Sequence, residues 1–182
     1  MKVAVLVIDM LNDFVTGALK CERATRIIPN IKRLVETARE KGIPVIYTND
    51  THLHAVDKEF QVWKQHAVSG TWGAQVVDEL KPAEKDYVIH KRRYSAFFAT
   101  DLDLLLRELN VDTLILTGLV TNVCVQHTAA DAFFRGYKVI VLRDCVEAVN
   151  EETHTTALEY MKTFYGCTVT TLSEALTLLG QT

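Results

Sequence analysis

Asp9, Lys91 and Cys124 are the residues of this sequence that could together cleave a carbonyl bond. Each stands at the end of a short apolar run or in the turn just after one. Asp9 closes V-A-V-L-V-I, Lys91 follows Y-V-I-H, and Cys124 lies in the turn G-L-V-T-N-V-C that follows T-L-I-L-T. A thiol attacks as the thiolate, a carboxylate beside it accepts its proton, and an ammonium offsets the charge. Cys124 falls in the first turn of an expected helix. Unpaired backbone N–H groups and the helix dipole there favour a thiolate by roughly 0.3–2 kcal/mol. A lysine at about 4 Å adds on the order of 4 kcal/mol, and an ionised Asp9 opposes it by a similar amount. The helix terminus is then expected to tip the balance towards a thiolate. The backbone N–H of Cys124, with another from the Val120 turn, offers donors to an oxyanion.

A second constellation is a set of metal-ligand types. Asp50 and His52 stand two apart at the end of another apolar run, and His66 follows 14 residues later. Strand geometry puts Asp50 and His52 on one side. Asp, His and His with open positions suit zinc, and iron or manganese less tightly. His54 is the alternative to His66. Arg92 and Arg93 follow Lys91 directly. One of them would grip a substrate carboxylate with its fork, or else stand in solvent or at an interface. His90 and His127 are expected to pack near the site, and His154 to lie on the surface.

These residues need elements to position them. Apolar runs rich in Val, Ile and Leu predict strands over Val3–Asp9, Pro44–Asn49, Tyr87–His90, Thr113–Thr117, Lys138–Leu142 and Thr168–Thr171. The spacing of Ile27, Ile31, Leu34, Val35 and Ala38 predicts a helix closed near Gly42. Thr100 with Asp103 reads as a capping box. Thr121 or Asn122 is expected to start a helix that stops at Gly136. Asn150 is expected to cap one that ends near Gly166, and a last short helix follows Ser173. Strands alternating with helices give crossover connections and a parallel sheet. The expected fold is α/β: a three-layer, doubly wound, Rossmann-like six-stranded parallel sheet with helices on both faces. Sites in such sheets form at the carboxyl ends of the strands, where Asp9, Asn49, Asp50, Lys91, the Cys124 turn and Asp144 would converge. A long irregular loop, at about 51–85, carries His52, His54, Trp63, His66 and Trp72 and is expected to shape the site.

Composition narrows the classes. The 182 residues fit one domain over 1–182, and a 48% hydrophobic content excludes a disordered chain. With 20 Lys and Arg against 23 Asp and Glu, the net charge of −3 invites neither nucleic acid nor an anionic membrane. No apolar run approaches the roughly 18 residues of a membrane span. The first run ends at Asp9 with no cleavage site, so a cytoplasmic protein is expected. The cysteines, at 21, 124, 145 and 167, have no zinc-module spacing and read as free thiols.

The sequence resembles the isochorismatase-like cysteine hydrolases, a superfamily that includes nicotinamidases. The matching pieces are V-L-V-I-D-M-L-N-D-F (5–14), V-I-Y-T-N-D-T-H (45–52), H-K-R-R-Y-S-A-F (90–97) and L-T-G-L-V-T-N-V-C-V (116–125), followed by A-A-D-A-F-F-R-G-Y and L-R-D-C-V. The resemblance implies a triad of Asp9, Lys91 and Cys124 that cleaves a small amide such as nicotinamide through a thioester. It implies a cis peptide before Val120, with the N–H groups of Val120 and Cys124 forming the oxyanion hole. It implies a divalent metal, by ligand type zinc, on Asp50, His52 and His66, which in nicotinamidases orients a pyridine ring. Phe14, Trp63, Tyr94 and Phe97 would then wall the pocket. The chain departs from the nicotinamidase pattern at W-K-Q-H-A (63–67), where the usual W-P-x-H-C has lost its proline and cysteine, and at Thr51, where a tryptophan is usual. These departures bear on the substrate, leaving as alternatives an isochorismatase-like or N-carbamoyl-type hydrolase of another small substrate, a hydrolase driven by a metal-bound hydroxide, or a non-catalytic binding protein of this fold. The resemblance also implies a homodimer or homotetramer, and one ring of Phe133 and Phe134 would cover a partner.

Overall fold

Val3, Val5 and Val7 belong to one hydrophobic core, and Ala4, Leu6 and Ile8 to another, because successive side chains of a strand point to opposite faces. All six residues are buried, so the first strand is covered on both sides and lies inside a sheet. The computed structural model describes residues 1–180. The strands are β1 (Val3–Ile8), β2 (Val45–Asp50), β3 (Tyr87–Lys91), β4 (Thr113–Leu119), β5 (Lys138–Glu147) and β6 (Thr168–Thr170). The helices are α1 (Asn12–Val15), α2 (Ile28–Glu40), α3 (Leu102–Glu108), α4 (Gln126–Phe134), α5 (Glu151–Tyr165) and α6 (Leu172–Gly180).

The strands form one parallel sheet in the order β3-β2-β1-β4-β5-β6. Helices α2 and α6 pack with one core, and α3, α4 and α5 with the other, as the doubly wound reading expects. The order reverses between β1 and β4, and side chains presented at that switch point share a crevice. Asp9 leaves β1 there, and the Cys124 turn leaves β4.

Several boundaries follow the local chemistry. The Asn150 side chain caps α5 by accepting from Thr153 N–H at 2.8 Å, and Gly166 ends it in the left-handed region at φ 64°. The capping box expected at Thr100 does not form. Asp103 Oδ1 instead accepts from the Tyr137 hydroxyl at 2.7 Å, the Asp101 side chain makes no cap bond to α3, and Thr100 Oγ1 accepts from the Leu102 N–H at 3.3 Å. Strand β5 runs five residues beyond the expected Leu142, to Glu147. Asp144 therefore lies inside the strand rather than at its end. It accepts from Leu172 N–H at 2.8 Å and takes no part in the site.

Gly118 decides how closely the two central strands approach. It pairs with Ile8 and adopts φ 104°, and a Cβ there would sit 1.9 Å from the Ile8 carbonyl oxygen. Only glycine fits this contact. Among the described residues no helix is long and apolar enough to cross a membrane.

Candidate active site

Asp9 sits one residue beyond β1 with a positive φ of 52°, and its Oδ1 accepts from the Asp50 N–H at 2.7 Å. Lys91, the last residue of β3, reaches into the same space: its Nζ lies 2.8 Å from Asp9 Oδ2 and 2.6 Å from Asp50 Oδ1, and it donates to Cys124 Sγ at 3.6 Å. Cys124 lies in a wide helical turn, Thr121–Val125, that leads into α4. One donor atom each from Asp9, Asp50 and Cys124 falls within 4.8 Å of the other two, and all three residues are buried. The three strand ends thus converge as their positions in the sequence require.

Their electrostatics differ from the expectation in one respect. Burial pushes the Cys124 thiol well above its ordinary value, Lys91 pulls it down, and Asp9 and Asp50 push it up again. The resting cysteine is therefore a neutral thiol, not the thiolate expected from the helix terminus. The chief reason is burial, and the carboxylates of Asp9 and Asp50 add to it; Asp50 stands beside the lysine as well as beside His52. Burial also raises the Asp9 carboxyl, the charge of Asp50 raises it further, and Lys91 pulls back, leaving it at about 6. Near neutral pH it is an anion ready to take a proton. Asp50 is held below the usual carboxylate range, because Lys91 and His52 outweigh the effect of burial. Lys91 stays charged although buried, since the two carboxylates raise it well above its ordinary value.

The peptide between Leu119 and Val120 is cis, as the resemblance implied. Val120 and Cys124 both line a cavity of about 410 Å³. Phe14, Trp63 and Tyr94 line it too, and the Trp63 indole N–H donates to the Tyr94 hydroxyl at 2.9 Å. Phe97 does not. It is buried in the core with its ring 5.9 Å from that of Tyr137 and Arg135 over its face. Tyr94 reaches the cavity from the edge of the core cluster in which Phe97 is buried, a distinction that aromatic identity alone does not carry. The stretch Gly17 to Cys21 also lines the cavity. The sequence did not mark it, since Gly-Ala-Leu-Lys-Cys follows no strand end and has no period or motif that points to a site.

On the same cavity lies a group of possible metal ligands. Asp50, His52, Glu59 and His66 are all buried and present their donor atoms within 4.8 Å of one another. His52 Nε2 is 3.6 Å from Asp50 Oδ2 and 3.2 Å from Glu59 Oε2, yet is buried without a hydrogen-bond partner. The far nitrogens are engaged: His52 Nδ1 meets Asp57 Oδ2 at 3.2 Å, and His66 Nδ1 meets the Lys64 carbonyl at 2.7 Å. Holding a ligand histidine by its other nitrogen is the usual support of a metal centre. Two imidazoles and two carboxylates are also the donor set zinc takes, so the residues present fit the ion. Burial lowers the His52 imidazole, but Asp50 and Glu59 outweigh it and raise it to about 10. A cation there would compete with the proton on His52.

Glu59 was not anticipated. It lies seven residues after His52 on a short 3₁₀ turn, Lys58–Gln61, and an isolated loop glutamate carries no periodicity to mark it. His54 is exposed and outside the group. His90 and His127 are exposed, the latter with its ring 5.3 Å from that of Tyr94. His154, expected on the surface, is buried, with Nδ1 2.9 Å from Thr121 Oγ1 in the turn that carries Cys124. Arg92 and Arg93 point away from the cavity to Asp57: Arg92 Nε is 2.9 Å from Asp57 Oδ1, and Arg93 Nη1 is 3.5 Å from the same oxygen. Neither lines the pocket, so neither is placed to receive a substrate carboxylate there.

Comparison with known proteins supports the family and the fold. The isochorismatase domain matches residues 3–174. An N-carbamoylsarcosine amidase from Thermoplasma acidophilum is 40% identical, with a TM-score of 0.89 over 94% of this chain and 97% of its own. The nicotinamidase PncA from Bacillus subtilis is 36% identical, with a TM-score of 0.89 over 93% of this chain and 99% of its own. A pyrazinamidase of Pyrococcus horikoshii in complex with zinc is 32% identical, with a TM-score of 0.87 over 94% and 99%. The chain belongs to the isochorismatase family, among whose members are amidohydrolases of C–N bonds.

Proposed function

We propose that this protein is a zinc-assisted cysteine amidase that releases ammonia from a small ring amide of the nicotinamide type. The observation that carries the reading is the double lining of the cavity. Cys124 and Asp9 border it together with Asp50, Glu59 and His66, and aromatic rings stand beside both groups. A flat substrate with an amide on one side of its ring and a Lewis-basic nitrogen on the other matches that arrangement.

The chain's own residues account for the chemistry. As Cys124 Sγ attacks the amide carbon, Asp9 takes the thiol proton, so no free thiolate needs to accumulate beforehand. The carbonyl oxygen gains negative charge and is met by the backbone N–H groups of Val120 and Cys124. Asp9 passes its proton to the leaving nitrogen, the C–N bond breaks, and ammonia departs from a thioester. Water, deprotonated by the returned Asp9 carboxylate, then attacks the thioester carbon and releases the acid and the thiol. Lys91 stays charged throughout and holds Asp9 and the sulfur in register. Asp50, His52, Glu59 and His66 would hold the zinc, which supplies a Lewis acid for orienting the substrate.

Ammonia release from nicotinamide by the purified protein tests the reading, run beside Cys124→Ala and with chelator present. Fast release that needs Cys124 and falls with chelator supports it. No release from a folded protein that instead hydrolyses N-carbamoyl amino acids overturns the ring-amide substrate while leaving the cysteine mechanism in place. Release retained in Cys124→Ala but lost in His52→Ala favours hydroxide attack instead.

A homo-oligomer belongs to the same proposal. Phe133, Phe134, Tyr160 and Phe164 form, with Tyr165, a chain of neighbouring rings on α4 and α5, and Phe134 is 70% exposed. An apolar patch of this kind favours burial against another copy.

A further inference from the structure

Neither Arg92 nor Arg93 lines the cavity, and the Arg93 carbonyl accepts from Lys91 Nζ at 3.2 Å, yet both side chains converge on one buried carboxylate. Asp57 has no solvent-exposed side chain although it lies in the long loop between β2 and β3. Each of its oxygens is engaged. Oδ1 accepts from Arg92 Nε at 2.9 Å and Arg92 Nη2 at 2.5 Å, with Arg93 Nη1 at 3.5 Å. Oδ2 accepts from the Leu53 N–H at 2.7 Å and faces His52 Nδ1 at 3.2 Å.

Two consequences follow for the donor group. A carboxylate has no proton to give, so it holds a hydrogen of His52 on Nδ1 and makes Nε2 the nitrogen that ligates an ion. Asp57 also begins the turn that carries Glu59, with Phe60 N–H donating to the Asp57 carbonyl at 3.2 Å. One side chain therefore governs the orientation of His52 and the start of the segment that delivers Glu59. Arg92 makes this possible, since an isolated buried carboxylate would be strongly disfavoured and the guanidinium fork offsets its charge. Arg92 is also the residue after Lys91, so the clamp joins the loop to the strand that supplies the site's lysine.

We propose that Asp57, held by Arg92, is a positioning residue for the zinc centre: it sets the His52 tautomer and the place of Glu59, and thereby the affinity for the ion. The proposal rests on the reading of Asp50, His52, Glu59 and His66 as zinc ligands.

The test is zinc affinity, measured on the full chain by competition with a chromogenic chelator. Asp57→Ala is expected to weaken zinc binding by about 10–100-fold, the usual effect of removing such a support. Asp57→Asn keeps an acceptor for the His52 N–H and is expected to recover most of that loss. Arg92→Ala removes a half-exposed side chain, so it keeps the measurement open if Asp57→Ala fails to fold, and is also expected to weaken zinc. Long-range 1H–15N spectra of the zinc-loaded proteins should show His52 protonated at Nδ1 in the wild type and a mixed state in Asp57→Ala. A wild type that binds zinc while folded Asp57→Ala and Arg92→Ala bind it within twofold overturns the clamp and leaves the metal reading standing. A wild type that binds no zinc overturns both.

Discussion

Lys91 lies closer to Asp50 than to Asp9, at 2.6 Å against 2.8 Å, while the other oxygen of Asp50 faces His52 at 3.6 Å. One carboxylate thus belongs to both halves of the site. Its charge helps to keep the thiol neutral and to raise Asp9. Asp50→Asn is expected to loosen zinc and, at the same time, to make Cys124 more acidic. The check is the pH profile of iodoacetamide labelling, whose midpoint should move to lower pH. An unmoved midpoint would show that Asp50 does not act on the sulfur.

The raised Asp9 carboxyl sets an acid limit on activity. Below about pH 6 it is protonated and cannot take the thiol proton, so kcat/KM should rise with pH and level off above that point. Because Asp50 contributes to the rise, the acid limb should shift downward in Asp50→Asn. The same shift in Asp9 has a consequence for stability. A carboxyl raised in the folded state binds protons there more tightly than in the unfolded chain. Its contribution is therefore present below its unfolded value of 3.8 and is lost as pH rises through about 6.

Glu59 and His54 separate the observed donor group from the one expected. Glu59→Gln should lower zinc affinity at least about tenfold, while His54→Ala should leave it unchanged. Zinc affinity should also rise with pH across the neutral range, because the ion displaces a proton from His52, which is raised to about 10. Equal losses in the two variants would contradict the placement of the loop.

Phe97 and Trp63 offer a contrast between core and cavity. Phe97→Ala should cost about 3–5 kcal/mol of stability by leaving a hole in the core. Trp63 is 40% exposed, so Trp63→Phe should cost little stability, while loss of its hydrogen bond to Tyr94 should change KM. Denaturant unfolding and steady-state kinetics on both variants distinguish the two positions.

Gly118→Ala should be among the most damaging single substitutions in the chain. Its Cβ would meet the Ile8 carbonyl at 1.9 Å, and both strands are central to the sheet. A loss of more than about 4 kcal/mol, or failure to accumulate as folded protein, is expected.

The sequence by itself determined the parallel sheet and the meeting of Asp9, Lys91 and Cys124. Buried strands announce themselves as apolar runs, and an open parallel sheet brings their carboxyl ends to one edge. It also offered Asp50, His52 and His66 as ligand types, with His54 as the alternative to His66, and the fold groups the first three while leaving His54 outside. What only the tertiary structure decided depends on distances between segments far apart in the chain. Asp50 sits between lysine and histidine because β2 pairs with β3 in a register that sets it against Lys91. That placement adds to the burial that keeps the sulfur a neutral thiol, and no local pattern encodes either. Glu59 and Asp57 enter the site because an irregular loop folds back over the strand ends, and a loop has no period to read. Phe97 leaves the pocket, and Arg92 turns from substrate to Asp57, for the same reason: residue type says what a side chain can do, and only packing says which neighbour it meets.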